Sequence, residues 1–133
     1  MRIDQPLATD TMVGIPLLPL NALSGGDGHN LYNVPAIGEA DYMTTVAGAS
    51  MSPTLLSGDI IACRRMPSDG IIQWGKIYIV DVGQGQPLIR RIHPGSSSDA
   101  VQLVSDNPSY DPIDLPRSGI VSLALVIGFI RVD

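Results

Sequence analysis

Ser50 lies in the part of this sequence whose residue types best suit a chemical reaction, residues 46–59 (VAGASMSPTLLSGD). The small residues Gly48 and Ala49 allow close approach to the backbone beside a projecting hydroxyl group. Free N–H groups of Ala49 and Ser50 at the start of the turn could face a developing oxyanion. These features suit a nucleophile. They equally suit an ordinary capped turn, so both interpretations stay open on these residues alone.

Short strands separated by turns must position this corner. The 133 residues include 14 glycines and 11 prolines, which interrupt the chain too often for long helices. One helical turn is predicted, with Ser52 as its cap and Pro53 in its first position. Strands are predicted at residues 43–47, 59–65, 76–82, 88–93, 100–104 and 120–130. The sequence therefore predicts a mostly β fold.

The strand at residues 88–93 (LIRRIH) carries a second group with chemical potential. The two-residue period of a strand places Arg90 on one face with Leu88 and Ile92, which is expected to face the core and to meet Ser50. A guanidinium group stays protonated in proteins, so it cannot take a proton from a serine. Arg90 can donate a hydrogen bond to Ser50, but it is not expected to act as its general base.

Other ionisable residues are weaker candidates. Lys76 is the only lysine in the chain, and its place at the start of a strand is typical of a solvated edge residue. His29 and His93 are isolated, and Cys63 is expected to be a buried thiol in an apolar strand. No metal-ligand spacing and no phosphate-binding loop is present, so no metal and no cofactor is expected.

Residues 46–59 resemble the serine box of the LexA, UmuD and phage-repressor C-terminal domains, which are related to signal peptidase. The residues that carry this resemblance are Gly48, Ser50, Met51, Pro53, Gly58 and Asp59. The similarity continues through LIRRIHP (88–94) and SDNPSYDPIDL (105–115) to the apolar C-terminal strand. It covers about residues 31–133 in consistent order, which makes it specific.

The resemblance implies a complex β fold of short, strongly bent strands with little helix. It implies that Ser50 is the nucleophile of a Ser–Lys dyad, with the backbone of Ala49 and Ser50 as the oxyanion site. Arg90 stands where the family has its catalytic lysine. A buried lysine works there because burial lowers its pKa, and an arginine does not offer that option. The resemblance therefore predicts a peptidase homologue without self-cleavage.

Residues 1–30 are predicted to form an N-terminal arm that includes a glycine-rich loop, and residues 31–133 the LexA-like peptidase and dimerisation domain. Self-cleavage in the family occurs in a loop upstream of the serine box. The matching bond here would join Ser24 to Gly25 within NALSGGDGHN (21–30). A plain glycine linker explains the same residues equally well.

The charge pattern argues against DNA binding by this chain alone. The formal net charge is −5, and basic residues cluster only as Arg64-Arg65 and Arg90-Arg91. The resemblance implies a homodimer, a separate N-terminal helix-turn-helix domain as the DNA reader, and a RecA-type activator as a candidate partner. No helix-turn-helix is visible here. We therefore expect either a fragment that begins at an artificial Met1 or a protein that acts without its own DNA reader.

The leading hypothesis is a regulatory and dimerisation domain of a phage-type or SOS-response repressor that keeps Ser50 but has lost the dyad lysine. The alternative is an active Ser–Lys peptidase, either self-cleaving with Lys76 or another base, or signal-peptidase-like. The apolar residues 12–20 are broken by prolines, and residues 120–132 are too short for a membrane span. A cytoplasmic protein without membrane contact is expected.

Overall fold

The apolar runs of the chain are rich in β-branched and aromatic residues and end at glycine, proline or asparagine turns, and for that reason they form strands. The computed structural model describes residues 14–17, 30–33 and 39–131. The strands are β1 Gly14–Leu17, β2 Asn30–Asn33, β3 Tyr42–Thr45, β4 Ile60–Met66, β5 Ile77–Asp81, β6 Leu88–Pro94, β7 Ala100–Val104, β8 Ile113–Pro116 and β9 Ser122–Ile130. Within the described residues they form one sheet in the order β2-β1-β3-β4-β9-β5-β6-β7-β8.

The predicted mostly β fold is confirmed. The six predicted strands correspond to β3, β4, β5, β6, β7 and β9, and β5 and β6 pair as an antiparallel hairpin. Strand β8 was missed. Within the described sheet it pairs only with β7, and it ends at Pro116, an edge position where proline can lack its N–H without loss of a ladder hydrogen bond. A single 3₁₀ turn, Arg117–Gly119, is the only helical element in the described ranges, and none of their helices is long and apolar enough to cross a membrane.

The helical turn predicted after Ser52 is present only as an i→i−4 hydrogen-bonded turn, and no helix forms there. The chain makes hydrogen-bonded turns there without a helix, and the Leu55 N–H donates to the Met51 carbonyl at 2.9 Å. The Ser52–Pro53 peptide bond is cis. The side chains of Met51 and Leu55 are both fully buried, so this segment folds to insert two apolar groups into the core and not to extend a helix.

Two main clusters of apolar side chains form the core. The first, called cluster A, contains Met51 and Leu55 together with Ile61, Ile79 and Ile89. The second, called cluster B, lies on the opposite face of the sheet. Its buried members are Ile72, Tyr78, Val80, Ile92, Val101, Leu103, Ile120, Leu123 and Leu125. Residues that alternate along β5 belong to different clusters, because successive side chains point to opposite faces of a strand.

Strand β9 lies in the middle of the sheet, between β4 and β5. Its residues Leu123 and Leu125 are buried in cluster B, and Ala124 is buried in cluster A. The chain itself therefore covers both apolar faces of this part of the strand. Farther along, the Phe129 side chain remains 46 % exposed. The predicted homodimer stays a prediction.

Residues 46–59 form the loop of the β3–β4 hairpin. The strands pair up to Thr45 and Ile60, and two backbone hydrogen bonds then close the base of the loop. The Val46 N–H donates to the Asp59 carbonyl, and the Gly58 N–H donates to the Val46 carbonyl, both at 2.8 Å. The loop that carries Ser50 is therefore fixed at both ends before any side chain contributes.

A buried carboxylate fixes the far end of this loop. Asp59 is 2 % exposed, and its two oxygens accept hydrogen bonds from Arg131 Nε at 2.8 Å and Arg131 Nη2 at 2.6 Å. Asp59 Oδ2 also accepts the Leu56 N–H at 2.8 Å. The hydrogen bonds from Arg131 and from the Leu56 N–H lower the pKa of Asp59 to about 2.

The Asp59 contacts predict a specific acid dependence of stability. Because the folded pKa of Asp59 lies near 2 and an unfolded aspartate titrates near ~3.9, its contribution is complete above the unfolded value and is lost as the pH falls towards 2. Asp59→Asn should lower the free energy of unfolding at neutral pH and remove this part of the acid dependence. Urea unfolding monitored by circular dichroism between pH 2 and pH 7 measures both effects.

Glu39→Gln is the matched control, because the ion pair of Glu39 with Arg64 is solvent-exposed and such pairs contribute about 0–1 kcal/mol. Equal acid dependence in wild type and Asp59→Asn would contradict the role assigned to Asp59.

Candidate active site

Ser50 and Arg90 are in direct contact although 40 residues separate them in the sequence. Arg90 Nη1 donates a hydrogen bond to Ser50 Oγ at 3.0 Å and another to the carbonyl oxygen of Ile89 at 2.8 Å. The predicted meeting of these two side chains is therefore confirmed. The hairpin loop brings the serine, and β6 brings the arginine.

A core-facing side of β6 does not explain this meeting, contrary to the prediction. Burial along β6 does not follow the predicted face of Leu88, Arg90 and Ile92. Ile89 is buried in cluster A and Ile92 in cluster B, while Arg90 is half-buried. Both faces of β6 are packed, so alternation does not identify a single core side. The buried loop residues beside Ile89 place Ser50 next to this strand.

The serine corner depends on one glycine and one buried neighbour. Gly48 has φ +85°, a left-handed conformation that side chains rarely adopt, although a Cβ atom there would meet nothing within 4 Å. Met51, directly after Ser50, is 1 % exposed and packs in cluster A. The glycine turns the chain and the methionine anchors it, so the hydroxyl of Ser50 is held at the surface of the core.

The loop at residues 105–110 supports the serine corner from the other side. The Asn107 N–H donates to the Ser50 carbonyl at 3.0 Å, and Asn107 Nδ2 donates to the Ala49 carbonyl at 2.9 Å. The Asn107 side chain also accepts the Ser109 N–H at 3.0 Å, which stabilises the loop locally. Both carbonyl oxygens beside the serine are therefore engaged. In the described part of the chain, the N–H groups of Ala49 and Ser50 donate to no protein acceptor.

Asp106 connects this loop to β6 and to the hairpin loop. Arg91 donates to both of its oxygens, through Nε at 2.7 Å and Nη2 at 3.0 Å, and Thr54 Oγ1 donates to Oδ2 at 2.6 Å. These hydrogen bonds lower the pKa of Asp106, with Arg91 as the largest cause. Arg91 Nη1 also donates to the Gly75 carbonyl at 2.7 Å. The charge of Arg91 is thus used to assemble the site.

A cleft of about 410 Å³ opens at the Ser50–Arg90 pair and is called the Ser50 cleft. One wall is the hairpin loop at residues 47–50, and the opposite wall is the end of the β5–β6 hairpin. The residues that line it are Ala47, Gly48, Ala49, Ser50, Gln84, Gln86, Pro87, Leu88, Ile89, Arg90 and Tyr110. It therefore combines small or apolar walls with a few polar groups, as ligand-binding clefts do.

Arg90 is a half-buried cation without a carboxylate partner in the described ranges. Its Nε is buried and has no hydrogen-bond partner, and its Cζ lies 5.8 Å from the ring centroid of Tyr110. Burial lowers the pKa of Arg90 from its ordinary value, because the charged form is partly removed from water. The contact with Tyr110 is within the range of a cation–π interaction.

The remaining candidates lie away from this pair or outside the described residues. Lys76 is exposed, precedes β5 and does not line the Ser50 cleft. His93 lies on β6 opposite Gln102 and does not line the cleft either. Cys63 is fully buried, as predicted, and burial raises the pKa of its thiol to about 12. Ser24 and Gly25 lie outside the described residues.

Sequence reasoning missed three groups of this site. Asn107 and Tyr110 belong to SDNPSYDPIDL, so the resemblance includes them, but it assigns them no role. The contact of Asn107 with Ala49 across 58 residues has no local signal in the sequence. Gln84 and Gln86 line the cleft, but nothing in the sequence of the loop at residues 83–87 indicates this role, since hairpin loops are commonly polar.

A mostly β domain in which a hairpin serine and a cation from a neighbouring strand meet at one cleft resembles a serine peptidase in its architecture. The sequence model of the Peptidase S24-like family matches residues 12–127. The chain belongs to this family, and it is a homologue of serine peptidases. A search of curated proteins found no match to the chain.

The Asp106 contacts predict a measurable stability change. Asp106→Asn removes the charge that accepts from Arg91 and should reduce the free energy of unfolding by about 1–3 kcal/mol, because charge-assisted hydrogen bonds at half-buried positions are lost. Chemical denaturation at neutral pH measures this difference. Asp111→Asn changes an exposed residue close to Asp106 in the sequence and should alter the free energy of unfolding by less than about 0.5 kcal/mol. Equal effects of the two changes would refute the role of Asp106.

Proposed function

We infer that this protein is a Peptidase S24-like domain that has lost self-cleavage and serves as a regulatory and dimerisation domain of a LexA-like or phage-type transcription regulator. The observation that supports the loss of cleavage is the hydrogen bond from Arg90 Nη1 to Ser50 Oγ. The regulatory part of the proposal rests on family membership and on the resemblance to repressor domains described above.

The direction of this hydrogen bond supports the view that Arg90 does not take the proton of Ser50. A general base must accept the proton of the serine hydroxyl, so it must offer a lone pair to that hydroxyl. The guanidinium group has five N–H donors and no acceptor. Ser50 Oγ therefore accepts from Arg90, and its own proton is not transferred to that partner. Ser50 remains a hydroxyl with a nearby positive charge.

Burial does not remove this obstacle. It lowers the pKa of Arg90, but the guanidinium starts above ~12, and arginine is not deprotonated in folded proteins. A lysine at the same position has an unperturbed pKa near ~10.4. Burial that disfavours the charged form by a few kcal/mol can lower this pKa towards neutrality. The half-buried environment that would activate a lysine thus leaves an arginine charged.

The alternative base in the sequence has little support. Lys76 is exposed and lies just before β5. It is also absent from the lining of the Ser50 cleft. An active peptidase would therefore need a base that the described residues do not supply. We propose a homodimer, DNA binding only through a separate helix-turn-helix domain, and a RecA-type activator as the candidate regulator.

Incubation at alkaline pH tests the loss of cleavage. Wild type should remain intact at the Ser24–Gly25 bond, because its serine has no base. Arg90→Lys should produce slow cleavage, because an amine that can lose its proton then faces Ser50. The double variant Ser50→Ala with Arg90→Lys should again remain intact. Mass spectrometry after overnight incubation distinguishes an intact chain from fragments 1–24 and 25–133.

A further variant identifies the base if the proposal fails. Cleavage of wild type that is lost in Ser50→Ala would show an active peptidase and overturn the proposal. Lys76→Gln would then reveal whether Lys76 supplies the base.

Sedimentation velocity tests the dimer. The chain at tens of micromolar should sediment as a dimer, and Phe129→Glu should shift it towards monomer because Phe129 is the exposed apolar residue on β9. Ile71→Glu is the control, since it changes an equally apolar and more exposed residue outside this strand. A wild type that is monomeric throughout this range would contradict the dimerisation part of the proposal.

A further inference from the structure

Arg90 has no carboxylate partner among the described residues, in contrast to three other arginines of the chain. Arg91 is paired with Asp106, Arg64 with Glu39 and Arg131 with Asp59. The protein partners of Arg90 are a hydroxyl, a carbonyl and an aromatic ring, all of them uncharged. A half-buried cation without a counter-charge is unfavourable, and an anion that entered the cleft would relieve this cost.

The groups around Arg90 also present donors to the Ser50 cleft. Since Ser50 Oγ accepts from Arg90, its own O–H can turn to donate to a ligand. Arg90 Nη2 makes no hydrogen bond within the described part of the chain, and neither do the N–H groups of Ala49 and Ser50. An ionised carboxylate is an acceptor only, with two oxygens that match a guanidinium group. A donor-rich, positively charged corner therefore favours a carboxylate.

The cleft is too large for a lone carboxylate. Its volume of about 410 Å³ extends along apolar and small side chains, including Leu88, Pro87 and Ala47. Strand β6 pairs with β7 only from Arg91 onwards, so on that side residues 88–90 have no strand neighbour in the described sheet. An extended peptide can lie along such an edge, and main-chain hydrogen bonds would hold it there. A peptide that ends at Arg90 would satisfy both the edge and the charge.

We propose that the Ser50 cleft binds the C-terminal carboxylate of an extended peptide, with Arg90 as the counter-charge and the Ser50 hydroxyl as a second donor. This inference rests on the proposed loss of cleavage, because it uses the same Ser50–Arg90 pair in a binding role. The arginine that prevents proton transfer thereby provides the recognition of a peptide acid.

Calorimetry with a pair of defined probes tests the charge. N-acetyl-Ala-Ala-Ala with a free acid terminus should bind wild type at least tenfold more tightly than the same peptide as its carboxamide, since the amide lacks the negative charge. Arg90→Gln should remove this preference for the acid. Arg64→Gln should keep it, because Arg64 is a surface arginine of β4 that is paired with Glu39 and does not line the cleft. The chemical shift of the Arg90 Nε–H in nuclear magnetic resonance should change with the acid peptide only.

The outcomes separate the alternatives. Equal binding of acid and carboxamide, or an acid preference that survives in Arg90→Gln, would overturn the proposal. Sodium acetate that binds as tightly as the peptide acid would overturn the peptide as the occupant, because the cleft would then hold a small free anion. Arg90→Lys keeps the charge but loses the two-pronged geometry, so it should retain part of the preference for the acid. This variant tests the role of the charge even if Arg90→Gln does not fold.

Failure of this proposal is distinguishable from failure of the proposed function. Intact wild type in the cleavage experiment, together with equal binding of the two peptides, rejects carboxylate recognition alone. Cleavage of wild type rejects the proposed function, and the binding preference is measured in the Ser50→Ala protein, which keeps Arg90 and cannot use Ser50 as a nucleophile. The acid preference should be smaller in that variant, because one donor is missing, but it should remain.

Discussion

Insertion of the β3–β4 hairpin loop into the core is the constraint on which the rest of the site depends. Met51 and Leu55 are buried beside Ile89 of β6, so the loop cannot move away without exposing two large apolar side chains. Removal of such a side chain typically costs about 2–5 kcal/mol. The same burial fixes Ser50, which directly precedes Met51. The position of the nucleophile-like residue is therefore a consequence of core packing.

Two adjacent arginines of β6 have opposite uses. Arg91 is neutralised by Asp106 and connects three segments through hydrogen bonds to Asp106 and to the Gly75 carbonyl. Arg90 faces a cleft and has only neutral partners among the described residues. Arg91 thus stabilises the fold around the site, and Arg90 supplies the positive charge of the cleft. Loss of Arg91 would leave Asp106 without its cation, whereas loss of Arg90 would remove the positive charge from the cleft.

The proposed loss of cleavage follows from one property of the guanidinium group, which donates hydrogen bonds and does not accept them. The serine corner, its supporting loop and the N–H groups of Ala49 and Ser50, which donate to no acceptor in the described residues, would suit a reactive site. A serine nucleophile donates its hydrogen bond to a general base, whereas Ser50 Oγ accepts a hydrogen bond from Arg90. A site that is well ordered but lacks a base is suited to binding, and the same donors that would hold an oxyanion can hold a carboxylate.

The sequence by itself determined the class of fold, the corner at Ser50 and the identity of Arg90, because strand patterns, glycine turns and residue chemistry are local properties. It did not show that the turn after Ser52 forms no helix, and it missed β8, since both depend on distant partners, the core under Met51 and the edge of β7. Only the tertiary structure decided that Asn107 supports Ala49, that Asp106 neutralises Arg91 and not Arg90, and that Lys76 lies away from the cleft. These are contacts between residues far apart in the chain, and they are selected by packing, which no local pattern records.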